Sequence, residues 1–417
     1  MNDPNRPVYH YMPPKSWMND PKPFYRNGEY HVFFQYNPLE PVPRLINWGH
    51  AVSRDLVHWE MLPIALTPTP GGPDKDGCWT GCAVEKDGLF HILYTGVHPQ
   101  VQCLATSSDL ITWEKHAGNP VILAPPEGFG DCWRDPCAWR ESDAWYMLLG
   151  SEVKDLGGAA LLYRSSDLIN WEYLHPLYAG DKGCFMFECP DFFPLGDRHV
   201  LLASCGKTHW HTGRCARGST PGITSFLLGQ GLNPCPRHGI VDGGNFYAAK
   251  TLLDDKGRRI LFGWITESRS QEEQVAAGWS GVLSLPRMLS ILPDGTLGVA
   301  PVPELSALRG RRLDKPEGDA LEIIARFRKT DVRVGITYRS MEVYADPEQK
   351  QLVAGQARTP FEAGPGEEIE LHVFLDHSVI EVFANGRACV TARAYSSARD
   401  IGLIGRPEQL DVWEIDK

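Results

Sequence analysis

The sequence CWRDPCAW, residues Cys132 to Trp139, decides the fold, because it is one of five related segments at nearly constant spacing. Each segment precedes a short apolar run rich in aromatic and branched side chains, a composition typical of buried strands. The runs are YHVFFQY, FHILYTG, WYMLLGS, HVLLASC and RILFGWI, which begin at Tyr30, Phe90, Trp145, His199 and Arg259, 54 to 60 residues apart. Self-similarity at such a period predicts a repeat architecture for the first 300 residues.

Two further patterns recur with about the same spacing as these runs. Clusters of Gly, Asn and Asp stand directly ahead of the runs and mark hairpins, so each unit is predicted to begin with an antiparallel pair of strands. The motif Ser-x-Asp-Leu-x-x-Trp-Glu recurs at residues 53–60, 107–114 and 165–172 and predicts a turn followed by a Trp-bearing strand. A unit of this length holds four short strands, which is one propeller blade, so five units predict a five-bladed β-propeller.

The pattern changes after Pro286. Proline-punctuated sequence with a short helical candidate, Val302 to Leu308, predicts a linker, and the following sequence alternates apolar and polar residues around the hairpin signal Asn385-Gly386. About 100 residues of alternating strands fit a small β-sandwich. The predicted class is therefore all-β, with a propeller over residues 1–298, a linker over 299–316 and a sandwich over 317–417.

Composition narrows the classes of function that the chain is expected to have. The chain has 417 residues and a net charge of −11 without a Lys/Arg-rich run, so nucleic acid is not an expected partner. The sequence has no apolar stretch long enough to span a membrane and no signal-peptide pattern at its start, so we expect a cytoplasmic protein. The 11 cysteines show no zinc-ligand spacing and fit reduced, buried thiols better than a disulfide framework. No metal or cofactor is expected, and the oligomeric state stays open.

Aligning the segments ahead of the apolar runs brings acidic residues together. The first strand of each blade lines the central channel of a propeller, so equivalent positions face one another. The aligned positions are Asp20, Trp79, Asp135, Glu188 and Tyr247. Three carboxyl groups thus converge among aromatic residues, where ionisation is costly. Paired carboxyl groups beside aromatic faces are what glycoside hydrolysis requires, with one acid protonating the leaving oxygen and another attacking or stabilising the sugar carbon.

With these motifs in place, the chain resembles glycoside hydrolase family 32, which contains invertases, sucrose-6-phosphate hydrolases and fructanases. The resemblance covers nearly the whole sequence. It is carried by WMNDP (17–21), FFQYNP (33–38), WGHAVSRDLVHWE (48–60), RDP (134–136), EC (188–189), GWSGVLSLPR (278–287) and LDHSVIEVFANG (375–386).

The resemblance implies a retaining β-fructofuranosidase that releases fructose from sucrose or a related short β-fructoside, with no cofactor. It implies Asp20 as the nucleophile, Glu188 as the general acid/base and Asp135 as a transition-state stabiliser. A retaining mechanism also predicts that the Asp20 and Glu188 carboxyl groups lie about 5–5.5 Å apart. The residues implied to line the fructose subsite are Asn19, Gln35, Trp48, Trp79, Thr80 and Arg134. Fructan hydrolysis, fructosyl transfer and sugar binding without catalysis stay open as alternatives.

Two departures from the family pattern bear on the substrate. Lys22-Pro23 stands where most members continue with Asn-Gly, and we expect the extra cation to act on recognition of the leaving group. The loop from Pro38 to Asn47 has Leu, Val and Ile where many members carry a Trp for that sugar. Both departures leave the identity of the leaving group open.

Overall fold

A computed structural model of the protein describes residues 3–154, 156–181, 183–213, 237–328 and 332–416. These residues are almost entirely β, with one α-helix and one short 3-10 helix among them. Within the same ranges, no helix has the length and apolarity of a membrane span.

Five sheets follow one another along the chain, each built on four antiparallel strands, and the sheets of the first and fifth units each carry one additional short strand. The first comprises β1 (Ser16–Arg26), β2 (Glu29–Asn37), β3 (Asn47–Ser53) and β4 (Glu60–Leu66). The second comprises β5 (Cys78–Lys86), β6 (Leu89–Gly96), β7 (Val101–Ser107) and β8 (Glu114–Lys115). The third comprises β9 (Phe129–Glu141), β10 (Ala144–Val153), β11 (Gly157–Ser165) and β12 (Glu172–Asp181).

The fourth sheet comprises β13 (Glu188–Leu195), β14 (Arg198–Cys205), β15 (Lys207–Gly213) and β16 (Arg237–Ile240). The fifth begins with β17 (Phe246–Leu253) and β18 (Arg259–Ile265), after which the chain forms α1 (Gln271–Ala277), β19 (Trp279–Ser280) and β20 (Val282–Leu283). It ends with β21 (Arg287–Ile291) and β22 (Leu297–Pro301). Of the two short strands, β19 pairs in parallel with β1 and β20 pairs with β18.

The sheets are the blades of a propeller, as the repeat predicts. The five apolar runs form β2, β6, β10, β14 and β18, the second strand of each blade. The first strands β1, β5, β9, β13 and β17 contact one another in chain order, and β17 contacts β1. The first strands therefore surround a common centre, and this arrangement brings side chains from distant parts of the sequence together.

The recurring Ser-x-Asp-Leu-x-x-Trp-Glu motif connects the third and fourth strands of blades one to three. In blade one, Asp55 Oδ1 accepts hydrogen bonds from the main-chain N–H groups of Val57 and His58. The Trp59 indole N–H donates to the carbonyl oxygen of Leu56, which has a positive φ of 70°. The tryptophan thus closes the turn, whereas the sequence pattern had predicted it inside the strand, which begins one residue later.

The C-terminal region is a β-sandwich of two sheets with a continuous apolar core between them. After the 3-10 helix Pro303–Leu308, the strands are β23 (Arg309–Leu313), β24 (Ala320–Phe327), β25 (Val334–Tyr338), β26 (Met341–Asp346), β27 (Gln351–Ala354), β28 (Ala357–Pro360), β29 (Ile369–Asp376), β30 (Val379–Ala384), β31 (Ala388–Arg393), β32 (Ile401–Ile404) and β33 (Gln409–Ile415). One sheet has the order β23-β33-β24-β29-β30-β31 and the other β28-β27-β26-β25-β32. Residues 299–316 therefore contain the end of β22, the 3-10 helix and β23.

A buried charge network joins the propeller to the sandwich. Arg287 on β21 is fully buried, with Nη1 2.9 Å from Asp242 Oδ2 and Nη2 2.6 Å from Glu381 Oε2 on β30. On its other side, Glu381 Oε1 lies 3.1 Å from His10 Nε2. His10 Nδ1 contacts Asp376 Oδ2 at 2.9 Å, so the N-terminal segment is tied to the sandwich as well.

The cysteines are mostly free, with one exception. Seven described cysteines are free thiols, namely Cys78, Cys82, Cys103, Cys132, Cys137, Cys189 and Cys389. Cys184 and Cys205 form a disulfide, so the expectation of reduced thiols is wrong for this pair. The two residues are 21 positions apart, and the antiparallel return from β13 to β14 brings their Cα atoms to 5.8 Å. Cys215 and Cys235 lie outside the described residues.

Candidate active site

The first strand of every blade has an irregular register at the same level. In β1 the pairing with β2 shifts between Asn19 and Pro21, and the other four first strands shift at corresponding points. Asp20 lies at this bulge with a φ of 40°, a left-handed conformation that is uncommon for residues other than Gly. The equivalent residues with positive φ are Asp135, Cys189 and Ala248. The bulges thus interrupt the regular alternation of side chains at the same level in the five first strands.

The bulges correct the alignment deduced from spacing. Arg134 pairs with Gly150 ahead of the bulge at Asp135, and Glu188 pairs with Ser204 ahead of the bulge at Cys189. Glu188 therefore corresponds to Arg134, and Cys189 corresponds to Asp135. Tyr247 is likewise one residue ahead of its bulge. The positions aligned by spacing do not all stand at the same distance ahead of the apolar runs, so that alignment is wrong by one residue in some blades. In a strand, such an offset reverses the direction of the side chain.

The three acids nevertheless meet at one pocket of about 470 Å³. Asp20, Asp135 and Glu188 come from blades one, three and four, and all three line it. Its remaining lining residues are Trp17, Asn19, Gln35, Pro43, Arg44, Ile46, Trp79, Arg134, Trp264, Thr266, Glu267, Gln274 and Ser280. The pocket combines carboxyl groups with aromatic walls, as the sequence had predicted.

Asp20 is held by a relay of hydrogen bonds. Gln35 Nε2 donates to Thr80 Oγ1 at 2.6 Å, and the Thr80 hydroxyl donates to Asp20 Oδ2 at 2.7 Å. Burial raises the pKa of Asp20 to about 6, while the nearby Lys22 cation and the Thr80 hydroxyl act in the opposite direction. The Asp20 carboxylate is therefore fixed in orientation and mainly ionised at neutral pH.

Both oxygens of Glu188 contact a donor. Arg134 Nη2 lies 2.6 Å from Oε1, and the Tyr247 hydroxyl donates to Oε2. Burial and the Glu188 charge raise the pKa of Tyr247 above its usual value, so the phenol keeps its proton. For Arg134, burial lowers the pKa, but Asp135 and Glu188 outweigh it and the guanidinium stays charged. These two contacts fix the orientation of the Glu188 carboxyl group.

Asp135 is held by hydrogen bonds to two neighbouring blades. Its Oδ2 accepts a hydrogen bond from the N–H of Cys189 at 2.8 Å, and its own N–H donates to Thr95 Oγ1 at 3.1 Å. The Cys189 thiol lies 3.5 Å from Asp135 Oδ2 and 3.9 Å from Asp20 Oδ2. Burial and these two carboxylates raise the pKa of Cys189 well above its usual value, so this thiol remains protonated. Cys189 thus supports the acids as a donor between them.

The residues expected to line the fructose subsite divide into two groups. Asn19, Gln35, Trp79 and Arg134 line the pocket. Asn19 Oδ1 is buried without a hydrogen-bond partner among the described residues, which leaves an acceptor for a substrate hydroxyl.

Trp48 and Thr80 differ from the expectation because both are fully buried and neither lines the pocket. The Trp48 indole N–H donates to the carbonyl oxygen of Trp79 at 2.9 Å. Trp48 therefore supports Trp79 from behind, and Thr80 acts through Asp20.

Comparison with known proteins gives the family. The model of the glycosyl hydrolases family 32 N-terminal domain matches residues 10–301, and that of the family 32 C-terminal domain matches residues 309–410. The chain belongs to glycosyl hydrolase family 32. A sucrose-6-phosphate hydrolase from Escherichia coli is 34% identical over 93% of this chain and 89% of its own length.

Two solved structures extend the comparison. A fructan 1-exohydrolase IIa from Cichorium intybus is 27% identical, with a TM-score of 0.85 over 100% of this chain and 98% of that one. A family 32 β-fructofuranosidase from Bombyx mori, solved as a mutant in complex with sucrose, is 28% identical, with a TM-score of 0.82 over 99% of this chain and 94% of that one. This family 32 chain is therefore a glycoside hydrolase that acts on β-fructosides.

The outer wall of the pocket comes from a segment that sequence reasoning missed. The chain segment between β18 and β19 contributes Glu267 and Gln274 to the lining of the pocket, and Gln274 belongs to α1. Glu267 Oε2 lies 2.7 Å from Arg269 and 3.6 Å from Arg393 of the sandwich. A signal was present, because Ser270 and Glu273 form the capping box that starts α1.

The loop with departures from the family pattern also reaches the pocket. Pro43, Arg44 and Ile46 line it, whereas Leu39 and Leu45 are 83% and 50% exposed. The side of the pocket formed by this loop is thus largely apolar, with the Arg44 guanidinium as its cation.

Proposed function

We propose that this family 32 enzyme is a retaining β-fructofuranosidase that hydrolyses sucrose or a related short β-fructoside. The observation that carries the proposal is the meeting of Asp20, Asp135 and Glu188 at one pocket, each with different partners. Asp20 is the proposed nucleophile, Glu188 the general acid/base, and Asp135 the residue that binds fructose hydroxyls and stabilises the transition state. The names of the relatives support this substrate class.

In the first step, the Asp20 carboxylate attacks the anomeric carbon of the fructosyl unit. The bond from that carbon to the leaving oxygen breaks, and Glu188 donates a proton to this oxygen, so the leaving sugar departs as a neutral alcohol. Arg134 and Tyr247 then stabilise the carboxylate that remains on Glu188. The product of this step is an ester between Asp20 and fructose.

In the second step, Glu188 takes a proton from a water molecule, which attacks the same carbon. The ester bond breaks, Asp20 leaves as a carboxylate, and fructose is released with its original anomeric configuration. Fructosyl transfer would differ only in the acceptor, since a sugar hydroxyl would replace the water. The proposed separation of about 5–5.5 Å between the Asp20 and Glu188 carboxyl groups follows from this double displacement.

The roles are tested by removing each acid. Asp20→Ala and Glu188→Gln are expected to lower sucrose turnover by about 10³-fold or more, while the far-ultraviolet circular dichroism stays that of the wild type. Glu188→Gln should still form the ester with a substrate whose leaving group needs no proton, whereas Asp20→Ala should not. Near-normal turnover of sucrose by either folded variant would refute the role assigned to that residue.

The substrate is identified by product analysis of the wild type. We expect free fructose from sucrose, and the same assay with sucrose 6-phosphate, inulin and levan separates the alternatives. Accumulation of longer fructans would identify a transferase, and binding without turnover of any of the four would identify a sugar-binding propeller.

Two further expectations belong to the proposal. We place the domain boundaries after residue 298 and before residue 317, and limited proteolysis tests them. A cytoplasmic location is supported by the seven free thiols, although the Cys184–Cys205 disulfide is unusual for a reducing compartment. Cell fractionation tests the location.

A further inference from the structure

Lys22, the residue that departs from the family pattern, lies beneath the pocket. It is two positions beyond Asp20 on β1, it is 1% exposed, and it does not line the pocket. Its Nζ donates to the main-chain carbonyl oxygen of Asp20 at 2.8 Å and lies 4.5 Å from the ring centroid of Trp48. The expectation that this cation recognises the leaving group is therefore wrong, because the buried side chain does not line the pocket of the three acids.

Lys22 faces a second cavity of about 500 Å³ in the centre of the propeller. The charged and titratable groups that act on the Lys22 amine come from four first strands. Two are carboxylates, Asp20 on β1 and Asp135 on β9, and the others are the Cys189 thiol on β13 and Lys250 on β17. Burial lowers the pKa of Lys22 to about 7, with Asp20 opposing that change. Each of the two charged groups thus favours the ionised form of the other.

We infer that Lys22 is a positioning residue for Asp20. Its amine holds the carbonyl oxygen of the bulge, and its positive charge stabilises the ionised carboxylate that the first step requires. A φ of 40° at Asp20 is unfavourable by itself, so a hydrogen bond at this carbonyl stabilises the conformation that directs the carboxylate into the pocket.

The chain offers a matched control in Lys250. This lysine is also buried in the propeller centre, at 3% exposure, but its Nζ donates to the carbonyl oxygens of Pro190 at 3.0 Å and Pro136 at 3.5 Å, in blades four and three. Replacing Lys250 therefore removes a buried cation from the same cavity without touching the bulge at Asp20. A shift found only in a Lys22 variant is then specific to Asp20.

The inference rests on the proposed role of Asp20 and is tested through the pH profile of kcat/KM for sucrose. Lys22→Met keeps the length of the side chain and removes the charge. We expect the acid limb, which reports the ionisation of Asp20 in the free enzyme, to move up by about one pH unit. Lys250→Met should leave the acid limb where the wild type has it. Lys22→Asn, the residue of most family members, should move it in the same direction and serves if the Met variant does not fold.

Two results would overturn the inference. One is an acid limb unchanged from the wild type in a folded Lys22 variant, and the other is an equal shift in Lys250→Met. Either result leaves the proposed function standing, since that function is tested separately by the loss of activity in Asp20→Ala.

Discussion

Arg134 Nη2 lies 2.6 Å from Glu188 Oε1, although the two residues are 54 positions apart and belong to different blades. The Arg134 side chain also lies 3.9 Å from Asp135 Oδ2 and over the ring of Trp79. One guanidinium thus joins two of the three acids to the aromatic wall. It holds the orientation of Glu188 relative to the substrate.

The first prediction concerns this contact. Arg134→Gln is expected to lower kcat/KM for sucrose by about 10²–10³-fold, because the carboxylate formed on Glu188 loses its charged donor. Steady-state kinetics measures the effect. Arg140, an exposed arginine on the same strand, gives the control, since Arg140→Gln should keep wild-type kinetics. Equal kinetics in the two variants would show that the contact has no role in turnover.

The second prediction concerns the other oxygen of Glu188. Tyr247→Phe removes the hydroxyl that donates to Oε2 and should lower kcat by about 10-fold or more, since hydrogen bonds to charged groups contribute about 1.5–3 kcal/mol. Within the part of the chain that the structure describes, the Tyr163 hydroxyl is buried without a hydrogen-bond partner, so Tyr163→Phe is the matched control and should leave kcat unchanged. If Tyr247→Phe had wild-type kcat, the hydrogen bond would be irrelevant to catalysis.

The third prediction concerns pH. Burial raises the pKa of Asp20 to about 6, and only the ionised carboxylate attacks the sugar. Below that pH the protonated fraction grows, so kcat/KM should fall about tenfold for each pH unit. Assays between pH 4 and 8 at constant ionic strength measure this limb. An acid limb near the ordinary pKa of an aspartic acid would show that burial does not raise the pKa of Asp20.

The fourth prediction concerns stability. Arg287→Ala removes the guanidinium that Asp242 and Glu381 share in the buried interior and should lower the free energy of unfolding by about 3–5 kcal/mol. Arg311 pairs with Glu414 at the surface, where the two side chains are 67% and 39% exposed, so Arg311→Ala should change the free energy of unfolding far less than Arg287→Ala does. Urea unfolding followed by tryptophan fluorescence compares the two variants. Similar losses of unfolding free energy in the two variants would contradict the view that the buried ion pairs contribute more to stability than the surface pair.

The sequence by itself determined the architecture and predicted which three acids lie at one pocket. Repetition of apolar runs and turns predicted the blades, since strand period and turn chemistry are local properties. The resemblance pointed to Asp20, Asp135 and Glu188, and the structure brings all three to the same pocket. Their catalytic roles remain predictions.

Tertiary structure alone decided where individual side chains point. The bulges shift Glu188 by one residue relative to Asp20, and in a strand one residue separates one direction from the opposite one. Trp48 on β3 and Lys22 on β1 are likewise buried rather than exposed to the pocket, which the sequence did not reveal. The disulfide between Cys184 and Cys205 depends on the return of β14 along β13, which spacing does not reveal. Contacts between distant segments arise only when the blades assemble, because local patterns specify strands but not which residues face each other.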